Sequence, residues 1–137
     1  MPVSIVLRLF VIVLAGAAIT RVSANVIVDP QVSDAVASGP VRVIVELRTE
    51  GDFVPEGDLT ESGVRVQRQA IAAAQDAVLS ELGNRLGDGD VRLVRRLETV
   101  PFLALEIGAR ALAELSAMPD RVVRILKDDS AAAQRSQ

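Results

Sequence analysis

Histidine, cysteine, tryptophan and tyrosine are all absent from the 137 residues, and three phenylalanines are the only aromatics. Without His the chain lacks the side chain that most often moves protons at neutral pH, and without Cys it has no thiolate nucleophile. The same absences remove the ligands of most zinc and copper sites and exclude disulfides. Carboxylates, Lys and Ser could still do chemistry, but with the usual proton-transfer residue missing neither enzymatic activity nor a cofactor is expected. Gly87-Asp88-Gly89-Asp90 has the look of a calcium loop, yet no Glu closes it at the right spacing. A tight turn before a strand is the reading taken. Lacking large rings, the core has to be built from Val, Leu, Ile and Ala, which suits a sheet of β-branched residues covered by Ala-rich helices.

Half the residues are hydrophobic, enough for one domain with a proper core. Their distribution sets the first 24 residues apart. Arg8 and the amino terminus supply positive charge, Leu9 to Ala18 is an apolar run, and Val22-Ser23-Ala24 resembles a small-residue cleavage site. This is the layout of a secretory signal peptide over residues 1–24, with cleavage after Ala24. An uncleaved anchor is the alternative, although the run is short for a membrane span. Either way the remainder is expected outside the cytoplasm, secreted or periplasmic, with no membrane contact once the leader is removed. Cleavage leaves 13 basic residues against 18 acidic ones. That balance argues against a nucleic-acid partner.

Residues 25–40, with Pro30 and Ser38-Gly39-Pro40, read as a linker or a loosely attached strand. Val41, Val43, Val45 and Leu47 then alternate with Arg42, Ile44, Glu46 and Arg48, the period of a strand with one buried face. Residues 49–61 form an acidic loop, expected to be pinned by Phe53 and Leu59. Val64 to Leu82 carries a helical stripe of Val64, Ile71, Ala74, Val78 and Leu82, with Arg65, Arg68, Gln75 and Glu81 elsewhere, and Gly83 is expected to stop it. A second strand follows from Val91 to Thr99; Arg92, Arg95 and Arg96 on it read as a solvated edge that discourages aggregation. A third strand holds Leu103, Leu105 and Ile107. Gly108 opens a helix with Ala111, Leu112, Leu115 and Met118 on its apolar face. Val122 to Leu126 is the last strand, and Lys127 to Gln137 a polar tail.

The order is strand, helix, strand, strand, helix, strand. The fold expected is α+β: a ferredoxin-like βαββαβ sandwich, four antiparallel strands with two helices on one face. The other face would carry Ile44, Glu46, Phe102, Ala104, Glu106, Arg124 and Leu126, and its apolar members would mark a binding surface.

The runs VRVIVEL (41–47), QRQAIAAAQDAVLSEL (67–82), VRRLETVPFLALEI (94–107) and ALAELSAMPDRVVRILKDD (111–129), with FVPEG at 53–57, resemble the subtilisin-propeptide family of peptidase inhibitors. The resemblance spans residues 41–129. It implies an inhibitor domain that packs its open sheet face, including Phe102, Ala104 and Glu106, on two helices of a subtilisin-like serine protease. The acids Asp128 and Asp129 would cap those helices. The tail, Ser130, Ala131, Ala132, Ala133, Gln134 and Arg135, would lie in the substrate groove, with P4 near Ala132 and P1 near Arg135. Lys127 stands where the family often has a further acid, and Gly108 where it often has Asp. Because the chain stops at Gln137 with no catalytic domain, a stand-alone inhibitor, monomeric when free, is expected. A separated propeptide acting as a folding chaperone in trans is one alternative; a self-associating ferredoxin-like module without a protease partner is another.

Overall fold

In the computed structural model, residues 24–130 are described. The sheet is built from β1 (Ile27–Val28), β2 (Val41–Leu47), β3 (Val91–Arg96), β4 (Phe102–Ile107) and β5 (Val122–Lys127). Three helices accompany it: α1 (Pro30–Val36), α2 (Glu61–Arg85) and α3 (Ala109–Ser116), with a 3₁₀ turn at Glu56–Asp58. The fold is α+β. The strand order is β1-β5-β2-β4-β3. Strand β2 pairs antiparallel with both β4 and β5, and β3 pairs antiparallel with β4, whereas β1 runs parallel to β5. The expected four-stranded antiparallel sheet with two helices is therefore corrected, among the described residues, to a five-stranded mixed sheet accompanied by α1, α2 and α3.

The extra strand and helix lie in residues 25–40, which the sequence suggested to be a linker or a loose strand. Asp29 caps α1 by accepting the Gln31 N–H at 2.9 Å, and Pro30 sits in the first turn, where its missing N–H has no cost. The Asp29 N–H also donates to Ile125 O at 2.9 Å, so the same residue starts the helix and fastens β1 to β5. This places Val32 in the core with no exposed surface.

Alternation decides which side of each strand is buried. Val43, Val45 and Leu47 of β2, Leu103, Leu105 and Ile107 of β4, and Val122 and Ile125 of β5 form one continuous core. Val32, Val78, Leu82, Ala111, Leu115 and Met118 meet them from the helices and the turn that follows α3. Two bulges break the alternation. Between Glu46 and Leu47 the pairing to β5 skips Val123, and between Leu93 and Arg95 the pairing to β4 skips Val94.

Helix α2 is longer than its hydrophobic stripe. It begins at Glu61, where the Thr60 hydroxyl accepts the Gly63 N–H at 3.1 Å, and it passes through Gly83 to Arg85. Gly83 does not stop it because Arg85 ties the last turn to Glu81 within the helix and to Glu114 on α3. Gln75, assigned off the apolar stripe, is buried: its amide donates to Leu97 O and Phe102 O, each at 2.9 Å. The acidic loop is held only partly as expected. Leu59 is half-buried beside Gly63 of α2, but Phe53 is exposed, and the Gln67 side chain pairs with both backbone groups of Val54, at 3.0 and 2.8 Å.

Candidate functional site

The sheet face opposite the helices carries three rows of side chains set by strand register. The first row crosses the sheet as Asp128, Arg42, Glu106 and Arg92. The second is Leu126, Ile44, Ala104 and Arg95; the third is Ile27, Arg124, Glu46 and Phe102. An apolar band, Leu126–Ile44–Ala104, thus runs between two charged rows. Ile27 and Phe102 add apolar surface at opposite ends of the third row. Leu126 is 40% exposed and Ile27 62%, so the band lies open to solvent at the β5 side. Ala104 is buried under its larger neighbours.

Most of the charges on this face are paired, Arg95 being the one without an ion-pair partner among the described residues. Arg124 Nε lies 2.6 Å from Glu46 Oε2, and Arg92 Nη2 lies 2.9 Å from Glu106 Oε2. Both pairs stand directly opposite across the ladder, where opposite charges support strand pairing. The Arg92 guanidinium, by hydrogen bonding and by its charge, holds the Glu106 carboxyl below its usual range, with Arg42 adding to the effect. Arg92 itself is pushed up by the same bond. Pairing leaves the face with two polarised borders and one unpaired cation, Arg95, at the β3 end of the apolar band.

Of the residues expected at a protease interface, Phe102, Ala104 and Glu106 lie together on β4 on this face. Asp128 and Asp129 follow β5 at the edge of the first row. Their surroundings differ. Asp128 has a side chain only 7% exposed, 3.4 Å from Arg42 Nη2, and it accepts hydrogen bonds from the Ser130 N–H and hydroxyl. Asp129 is exposed, with Lys127 Nζ 3.7 Å away. Ala131, Ala132, Ala133, Gln134 and Arg135 lie outside the described residues, as does the leader through residue 23.

Arg42 and Ile27 were not singled out from the sequence. Arg42 was legible, since the alternation that puts Ile44 and Glu46 on the open face puts Arg42 there as well. Ile27 was not, because its place depends on the parallel pairing of β1 with β5.

A second concavity, a shallow groove of about 480 Å³, runs between residues 48–50, 120–121 and the alanines 70, 73, 74 and 77 of α2. Apart from the alanines its lining is polar and charged: Arg48, Thr49, Glu50, Asp120 and Arg121. Among the described residues no three carboxylates approach closely enough to hold a metal ion, and no helix is long and apolar enough to cross a membrane. No family model matches the chain, and neither the curated proteins nor the solved structures compared with it give a match.

Proposed function

We propose that this chain is an exported inhibitor of subtilisin-like serine proteases that docks through the open sheet face and places its C-terminal tail in the substrate groove. The observation that carries the reading is the Leu126–Ile44–Ala104 band, flanked by Phe102 and ending at the strand from which the tail departs. An uncovered apolar band framed by paired charges is the composition of an interface core with its rim. The order β5-β2-β4-β3, antiparallel throughout, with α2 and α3 as crossovers, supports a ferredoxin-like βαββαβ unit to which β1 and α1 are appended. Residues 41–129, which resemble the subtilisin-propeptide family, coincide with that unit.

The proposed mechanism needs no catalytic group in the inhibitor. The apolar band and Phe102 lose water against the protease, the exposed Asp129 approaches a helix N-terminus, and the tail adds a strand at the groove edge. The extensive core favours an inhibitor that is folded before it meets its target over a propeptide ordered by it.

The test is a progress curve for subtilisin on a chromogenic peptide with residues 25–137 and with the same chain ended at Asp129. Slow, tight inhibition that weakens on truncation is expected. Inhibition that fades within minutes as the domain is digested would point to the separated propeptide instead. No inhibition of several subtilases by folded protein would overturn the proposal, and dimerisation through the same face would support the self-associating module.

A further inference from the structure

We infer that Arg95 selects among subtilisin-like proteases by requiring an acidic side chain on the protease, opposite the β3 end of the apolar band. This rests on the reading of the open sheet face as the protease interface and deepens it. Strand β3 carries three arginines, and a bulge decides where they point. Strict alternation would put Arg95 on the same side as Val91 and Leu93, which stand opposite the core residues Ile107 and Leu105. The pairing skips Val94 instead. Arg95 thereby comes into register with Ala104 of the open face, while Arg96 falls opposite the core residue Leu103. A bulge re-aims a side chain in this way at the expense of regular ladder bonding.

The three guanidinium groups end in different surroundings. Arg92 is held by Glu106 through two hydrogen bonds at 3.2 and 2.9 Å. Arg96, on the helix side, is paired with Asp76 of α2. Arg95 is exposed and has no ion-pair partner among the described residues. The bulge thus delivers this uncompensated cation to the end of the row Leu126–Ile44–Ala104. With neighbouring strands about 4.8 Å apart, its strand lies roughly 14 Å from that of Leu126.

Glu46, Arg124, Arg92 and Glu106 bring their counter-charges into an interface with them; Arg95 does not. When the band loses water against a protease, Arg95 loses it too, and a cation desolvated without a partner opposes binding. A protease carboxylate at that place turns the same group into an attractive, charge-assisted contact. One residue therefore separates proteases with such an acid from those without, by penalising the wrong partner as well as favouring the right one. The complementary surface is an apolar patch over β5, β2 and β4, with an Asp or Glu roughly 14 Å from the part that covers Leu126.

The test measures Ki for residues 25–137 as wild type, Arg95→Gln, Arg95→Glu and Arg65→Glu, each shown folded by circular dichroism. The target is whichever of several subtilases the wild type inhibits most tightly. Arg65 is exposed on α2, on the other side of the sheet, and its reversal changes the net charge by the same amount. Ki is expected to rise about tenfold for Arg95→Gln and about a hundredfold for Arg95→Glu, and to stay within about twofold for Arg65→Glu. Raising the salt to about 1 M, where screening acts within about 3 Å, is expected to narrow the gap between wild type and Arg95→Glu. Inhibition that is unchanged or tighter in Arg95→Gln overturns the inference, because the protease then presents no acid there. Loss of inhibition in Phe102→Asp would in that case leave the sheet-face reading standing. Equal weakening by Arg95→Glu and Arg65→Glu overturns the inference as well, since only net charge would then matter. If the wild type inhibits no subtilase, the protease reading falls and selection through Arg95 falls with it.

Discussion

Gln75 shows how one polar side chain can hold a loop in place. Its amide reaches from α2 to Leu97 O and Phe102 O, the two ends of the connection between β3 and β4. Replacing it with Leu removes the donor from both carbonyls, and a buried acceptor left without a partner costs about 1–3 kcal/mol. Gln75→Leu is therefore expected to lower the urea midpoint by a corresponding amount, with loosening centred on residues 97–102 in hydrogen exchange. Glu106 and Glu56 carry the acid sensitivity that can be assigned to single residues. Arg92 holds the first below its ordinary range, and Arg68, hydrogen-bonded through Nε and Nη2, holds the second. Since both folded values lie below the unfolded ones, their stabilisation is complete above about pH 4.3 and is lost as pH falls through the folded values. Unfolding in urea at pH 7 and pH 3 is expected to show a smaller acid loss for Glu106→Gln than for the wild type.

At the scale of elements, the amino-terminal strand and helix are the part the chain concealed. Asp29-Pro30 is a helix-start signal, but Pro30 and the Ser38-Gly39-Pro40 group read equally well as breakers. A two-residue strand is too short to carry a period. What decides the matter is tertiary: Val32 needs the pocket between β2, β5 and α3, and local pattern contains no information about it. Val32→Ala is expected to cost about 2 kcal/mol, the transfer of two methyl groups plus the cavity left. Calorimetry should show a drop of roughly 10 °C for a domain of this size. Removing residues 1–40 should cost more than that, since Val26, Val28 and Val36 also pack on the core. The central strands were legible because β2 and β4 alternate cleanly, inward Val and Leu against outward Arg, Ile and Glu. The bulges at Val94 and Val123 were not, because an extra residue in a ladder shows only when the partner strand is present. Gly83 misled for a related reason: the ion pairs that carry α2 past it come from Glu81 and, across the fold, from Glu114.

For the molecule as a whole, the sheet divides two tasks between its faces. The helix side supplies the core, and the other side presents an apolar band between rows of paired charge. The members of that face at positions 44, 46, 102, 104, 106, 124 and 126 could be listed from alternation alone. The registers that align them into rows needed the fold. The Asp128 contacts needed it as well, since Arg42 is 86 positions earlier and comes alongside only through the pairing of β2 with β5. Inhibition through this face is the central claim, and Phe102 offers the cleanest substitution. Its side chain is on the open face at the start of β4, away from the core cluster. The measurement is the inhibition constant of residues 25–137 against subtilisin for the wild type and for Phe102→Asp, with circular dichroism showing both folded. A buried charge at the contact is expected to weaken inhibition at least a hundredfold while leaving the monomeric fold intact. Equal inhibition by the two proteins would contradict the assignment of the sheet face as the interface.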